Sequence, residues 1–233
     1  MPARAARQPA PEAARLSAQP HEPQGEGATG LQRLLIRNKR GALLYVPAGV
    51  QAGTLAPFAV MLHGAGGNAE HGLHLLRDYA DNNGLILLAP ESRKTTWDII
   101  MESQYGPDVA FINDCLLHVF DHYAIDPKHL ALGGFSDGAS YALSLGLSNG
   151  RLFTHLLAFS PGFMAPLQVE NHPCIFISHG TEDNVLPIQP CSRRIVPILR
   201  REGFSVEYEE FAGPHTIPAE ISRKAVEWFL QNP

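Results

Sequence analysis

Leu130-Ala131-Leu132-Gly133-Gly134-Phe135-Ser136-Asp137-Gly138-Ala139-Ser140-Tyr141-Ala142-Leu143 joins an apolar run to a small-residue run through a serine flanked by glycines. The run Leu130–Gly134 is apolar throughout, as a strand buried on both faces of a parallel sheet must be. Ala139–Leu147 is small and apolar, as a helix packed beneath a crowded turn should be. Side chains two places before and two places after the serine would collide with neighbouring backbone in so tight a turn, and Gly134 and Gly138 stand at those two places. Strand, Gly-x-Ser-x-Gly turn and helix together lift a serine hydroxyl out at the carboxyl end of a sheet, which makes Ser136 a candidate nucleophile.

Outward from this stretch, short apolar runs alternate with segments of helical period. Strands are expected at Leu31–Arg37, Ala42–Val46, Phe58–Leu62, Leu85–Ala89, Leu130–Gly134, His155–Phe159, Cys174–Ser178 and Ser205–Phe211. Helices are expected at Ala69–Ala80, Asp108–Tyr123, Ala139–Leu147, Ile188–Arg201 and Pro218–Leu230. This alternation predicts an α/β fold, a mostly parallel sheet of about 7–8 strands with helices on both faces. Gly64–Asn68, Glu91–Gly106 and Pro161–Pro173 are then loops at strand ends, where open α/β sheets gather their ligand sites.

The 233 residues, 45% hydrophobic and 18% charged, suit one domain with a sizeable core, expected over residues 29–233. Residues 1–28 are rich in Ala, Pro, Arg and Gln and are expected to form a disordered extension. A net charge of -5 without a basic run argues against nucleic acid and anionic membrane as partners. No apolar stretch approaches the roughly 18 residues of a membrane span, so no stable membrane insertion is expected. Cys115, Cys174 and Cys191 lack metal-ligand spacing and read as reduced thiols in a cytoplasmic protein. His71 with His74, and His118 with His122, read as polar helix faces rather than metal ligands.

A serine hydroxyl needs a histidine to take its proton and a buried carboxylate to hold that histidine's tautomer. In this architecture the chain order is Ser, acid, His. Of the histidines after Ser136, only His215 lies between the last strand and the last helix, so it is the expected base. The acid belongs in the loop His179–Pro187, where Asp183 or Glu182 qualifies and the shorter Asp183 is preferred. His179 reads as a packed residue that orients this loop. The oxyanion of an acyl transfer requires preorganised N–H donors, expected from Asp137 and from Ala65, with Gly66 as the alternative to Ala65. Trp97, Tyr105, Phe163 and Met164 fall in the crevice loops and are the candidate substrate pocket.

At Leu62-His63-Gly64, Gly134-Phe135-Ser136, His179-Gly180 with Asp183 and Val185-Leu186-Pro187, and Gly213-Pro214-His215, the chain resembles the phospholipase/carboxylesterase family of α/β-hydrolases. That family includes acyl-protein thioesterases, and the chain is similar also to dienelactone-hydrolase-like and polyhydroxybutyrate-depolymerase-like esterases. The resemblance runs from about Ala42 to Leu230. It implies an α/β-hydrolase fold without a large lid, and hydrolysis of small carboxylic esters or thioesters through an acyl-enzyme, with no metal or organic cofactor. A monomer or homodimer is expected. Two other readings stay open at the level of sequence: a non-catalytic α/β-hydrolase that binds a small molecule, and a serine hydrolase of amides, peptides or carbon–carbon bonds.

Overall fold

The computed structural model describes residues 11–36 and 41–232. Eight strands form one sheet: β1 (Gly30–Leu34), β2 (Ala42–Val46), β3 (Ala56–Leu62), β4 (Ile86–Pro90), β5 (Ile125–Phe135), β6 (His155–Phe159), β7 (Cys174–Gly180) and β8 (Val206–Phe211). Their order is β1-β2-β4-β3-β5-β6-β7-β8. β2 is antiparallel to both β1 and β4, and every later pairing is parallel. The expected α/β architecture is therefore present, with the order reversing around β3 and β5.

Alternate residues along each central strand enter two separate cores. Phe58, Val60, Leu62, Leu130 and Leu132 face α4 (Pro107–His122), α5 (Asp137–Leu147) and α6 (Ser192–Arg201). Ala59, Met61, Ala131 and Leu157 face α1 (Ala69–His74), α2 (Arg77–Asn83) and α7 (Ala219–Gln231). Burial of both faces is why these strands carry no polar alternation. Among the described residues, nothing larger than the four-residue helix α3 (Asp98–Met101) interrupts the loops at the carboxyl end, so no large lid covers it.

The short helix α3 lies inside the expected loop Glu91–Gly106, and α6 starts at Ser192 rather than Ile188; two larger expectations also differ from the structure. The single helix expected over Ala69–Ala80 is two, because Leu76 leaves the helical region at φ -130°, ψ 1° to bury its side chain fully. The expected disorder of residues 1–28 does not hold for residues 11–28; residues 1–10 lie outside the described ones, as does the end of the expected first strand at Arg37. Ala14, Leu16 and Ala18 are buried against the α4 and α5 side of the core. Asn149 accepts the Leu16 N–H at 2.9 Å and donates to the Ala14 carbonyl at 2.7 Å, while Asn113 Oδ1 accepts the N–H groups of Ser17 and Ala18. Composition missed this because three apolar side chains suffice when Asn113 on α4 and Asn149 just past α5 already stand ready to satisfy the backbone.

Candidate active site

The nucleophile candidate sits where the elbow was expected, between β5 and α5. Ser136 holds φ 57°, ψ -119°, a conformation that costs a non-glycine residue energy and that its surroundings must impose. They do so closely: a methyl group on Gly138 would stand 2.2 Å from the Leu62 carbonyl oxygen, and one on Gly134 would stand 2.6 Å from the same oxygen. The Ser136 N–H donates to the Phe159 carbonyl at 2.9 Å, tying the apex to β6.

His215 lies between β8 and α7, and Asp183 lies in the loop after β7. His215 Nε2 is 2.9 Å from Ser136 Oγ, and its Nδ1 is 2.5 Å from Asp183 Oδ2. A proton on Nδ1 directed at the carboxylate leaves Nε2 as the acceptor for the serine hydroxyl. Phe135 packs on the imidazole with ring centroids 4.6 Å apart. Asp183 Oδ1 accepts the N–H groups of Val185 and Leu186 at 2.9 and 2.8 Å. Burial opposes the charge on Asp183, but the His215 hydrogen bond and these two N–H groups outweigh it and hold the carboxyl below the usual range. Glu182, the alternative acid, is exposed.

His179 is buried beneath this loop, with Nδ1 2.7 Å from Ser192 Oγ and Nε2 2.8 Å from the Leu186 carbonyl. Nε2 therefore carries the proton and also lies 3.3 Å from Asp183 Oδ2. Burial lowers the basicity of His179, so it acts as a neutral brace for the acid loop.

On the opposite side, the β3 turn packs against the elbow: a methyl on Gly64 would be 3.4 Å from Ser136 Cβ. The Gly66 N–H donates to the Thr95 carbonyl at 2.8 Å, which removes Gly66 as an oxyanion donor. The N–H groups of Ala65 and Asp137 have no hydrogen-bond acceptor among the described residues.

The four expected pocket residues divide. Trp97 is fully buried, stacked between His63 and Tyr141 with its Nε1 donating to the His63 carbonyl at 2.9 Å, so it braces the site from below and is no pocket wall. Met164 is half-buried and packs against the core cluster that includes Trp97 and Tyr105. Tyr105 and Phe163 do meet, lining a hollow of about 250 Å³ with Ile99 and Leu167. The Tyr105 hydroxyl donates to the Ala165 carbonyl at 3.2 Å and bridges the two crevice loops. A larger concavity of about 690 Å³ lies at the other end of the sheet, between residues 20–26 and the starts of β3 and β5, away from Ser136.

Two supporting constellations escaped the sequence reading. Asp98 accepts the N–H groups of Gly106 and Asp108 and the Tyr141 hydroxyl, and Asp108 accepts those of Arg93 and Asp98. Burial raises both carboxyls, Asp108 to about 6. The second is a ladder of serines one turn apart on α5. Ser140, Ser144 and Ser148 each donate to the carbonyl four residues back and accept, in turn, the N–H groups of Gly162, Ala165 and Leu167. Their four-residue spacing, continued from Ser136, is visible in the sequence and was the available signal.

Residues 109–229 match the model of the phospholipase/carboxylesterase family, more than half of the chain. The chain belongs to this family. A curated relative, the probable feruloyl esterase C of Aspergillus clavatus, is 28% identical over 103 residues, 44% of this chain and 36% of that protein. The chain thus spans about a third of that relative's length. The crystal structure of esterase PE8 aligns with 88% of this chain and 100% of its own at a TM-score of 0.65 and 21% identity. The ferulic acid esterase AmCE1/Fae1A of Anaeromyces mucronatus aligns with 89% of this chain and 95% of its own, at a TM-score of 0.62 and 20% identity. At these identities the structural likeness establishes the α/β-hydrolase fold, which the phospholipase/carboxylesterase match also carries. Among the described residues, no three His, Cys, Asp or Glu side chains converge as metal ligands, and no helix is long and apolar enough to cross a membrane.

Proposed function

We propose that the protein hydrolyses small carboxylic esters or thioesters through an acyl-enzyme on Ser136. The observation that carries this reading is the continuous relay from Ser136 Oγ through His215 to Asp183, at 2.9 and 2.5 Å. In the proposed reaction His215 Nε2 takes the serine proton as Oγ attacks the acyl carbonyl, and Asp183 stabilises the imidazolium that results. The N–H groups of Ala65 and Asp137 hold the oxyanion. His215 then protonates the departing alcohol or thiol, and a water molecule repeats the sequence to release the acid and restore the serine.

The named activities of the relatives make aromatic acyl esters such as methyl ferulate the first substrates to compare with acetate. Tyr105 and Phe163, in loops at the carboxyl end of the sheet, are read as contacts for acyl or alcohol groups of modest size. Residues 29–233 are read as one catalytic domain, acting as a monomer or homodimer without cofactor. The free thiols of Cys115, Cys174 and Cys191 suit a reducing cytoplasm.

The test is labelling by a fluorophosphonate with peptide mapping, alongside hydrolysis of p-nitrophenyl acetate, in wild type and Ser136→Ala. Labelling confined to Ser136 and a loss of turnover on the order of a millionfold in the variant are expected. Folded wild type that is neither labelled nor active would overturn the proposal and leave a binding protein.

A further inference from the structure

The segment 92–97, between β4 and α3, touches both walls of the oxyanion site. On the β3 wall, the Ser92 N–H donates to His63 Nε2 at 3.1 Å, and Trp97 Nε1 donates to the His63 carbonyl at 2.9 Å. The Thr95 carbonyl accepts the Gly66 N–H at 2.8 Å. On the nucleophile wall, the Thr96 hydroxyl donates to Asp137 Oδ2 at 2.8 Å. One short run of chain thus holds His63 and Gly66, which bracket Ala65, and the side chain of Asp137.

The bond from Ser92 also fixes the His63 ring. Because its Nε2 accepts, the proton sits on Nδ1, which is 2.7 Å from the Gly64 carbonyl. The buried Trp97 ring, with centroids 4.9 Å from His63 and 5.1 Å from Tyr141, prevents the segment from shifting without breaking the core.

Physical chemistry gives this arrangement a purpose. Oxyanion donors help only if their spacing is set before the charge develops. A carboxylate on the residue that supplies one donor would oppose that charge unless it were turned aside and held there. The Thr96 hydroxyl holds the Asp137 carboxylate through Oδ2.

We infer that residues 92–97 are a positioning clamp for the oxyanion hole, with Thr96 aligning Asp137 and Trp97 aligning the His63 turn that carries Ala65. The inference rests on the acyl-enzyme reading and adds to it two residues that act on the rate without touching substrate.

The experiment compares Thr96→Val, Thr96→Ser, Asp137→Ala, the Thr96→Val/Asp137→Ala double variant and Trp97→Phe. It reads kcat and KM on p-nitrophenyl acetate, and inhibition by a trifluoromethyl ketone, whose adduct places an oxyanion in the hole. Thr96→Val should lower kcat about tenfold with KM within about twofold, short of the hundredfold or more expected for deleting a donor itself. The ketone should weaken in parallel, Thr96→Ser should restore both, and the double variant should be no worse than the poorer single one. Trp97→Phe should reproduce the kcat loss from the other wall, so that if one variant fails to fold the other decides. Wild-type kcat and ketone affinity in Thr96→Val, or additive losses in the double variant, would overturn the clamp. Labelled and active wild type with an indifferent Thr96→Val overturns the clamp alone; unlabelled, inactive wild type overturns the acyl-enzyme reading and the clamp with it.

Discussion

Asp183 and the pair Asp98 and Asp108 are buried carboxylates at the same end of the sheet, the first in the loop after β7 and the pair bracing the loop after β4. Both accept backbone N–H groups that their loops would otherwise leave unsatisfied. Their acidities nevertheless move in opposite directions. Asp183 faces an imidazole that becomes a cation during the proposed reaction, and its carboxyl is held low against the cost of burial. Asp98 and Asp108 meet mainly amide and hydroxyl dipoles, and burial dominates; the Asp98 charge further raises Asp108, and the Arg93 cation lowers it without offsetting burial. The contrast shows that burial alone does not set a carboxyl's role. The balance of partners does: the hydrogen-bonded His215 imidazole and two N–H groups outweigh burial at Asp183, whereas Arg93 does not offset it at Asp108.

The largest effect expected from breaking this comparison is on the Asp183 side. Asp183→Asn keeps an acceptor for Val185 and Leu186 but cannot stabilise an imidazolium, and kcat on p-nitrophenyl acetate should fall on the order of 10⁴-fold. A fall of less than about tenfold would move the catalytic acid elsewhere.

The next effect sharpens the sign of the two sites. A carboxyl raised to about 6 binds protons more readily in the folded chain than in the unfolded one. The stability it contributes is fully present below about pH 4 and is lost as pH rises through about 6, roughly 3 kcal/mol in all. Asp183 has the opposite sign, its contribution present at neutral pH and lost as pH falls. Urea unfolding across pH 4 to 7 should therefore show a flatter profile for Asp108→Asn than for wild type. Parallel profiles would mean that Asp108 does not titrate in that window.

The smallest effect concerns the other crevice loop. Ser144→Ala removes the acceptor for the Ala165 N–H and should cost about 1–2 kcal/mol in urea unfolding. Because that loop carries Phe163 to the rim of the hollow, KM for a bulky aromatic ester should rise more than KM for the acetate ester. Equal KM changes for the two esters would detach the serine ladder from substrate binding.

Much of this end of the molecule was legible in the residues. Gly134, Ser136 and Gly138 announce the turn because a side chain at either glycine would meet the Leu62 carbonyl, and His215 stands out by its place between the last strand and the last helix. The reading failed at Trp97, at residues 11–28 and at the two acidic braces. An aromatic residue in a loop looks the same in sequence whether it lines a crevice or plugs the space beneath it, and only the positions of His63 and Tyr141 decide for Trp97. Likewise nothing local marks Asn149 and Asn113 as receivers for an N-terminal strap whose residues lie about a hundred positions away.

By itself the sequence determined the alternation of strands and helices and the strand–turn–helix at Ser136, because each follows from short-range periodicity or from the sterics of a few neighbouring residues. The tertiary structure alone decided in which direction each buried carboxyl's acidity moves, which loop amides are left without an acceptor among the described residues and what the segment 92–97 holds in place, because each depends on groups brought together from distant strands, where hydrogen bonding and burial compete over a few ångströms.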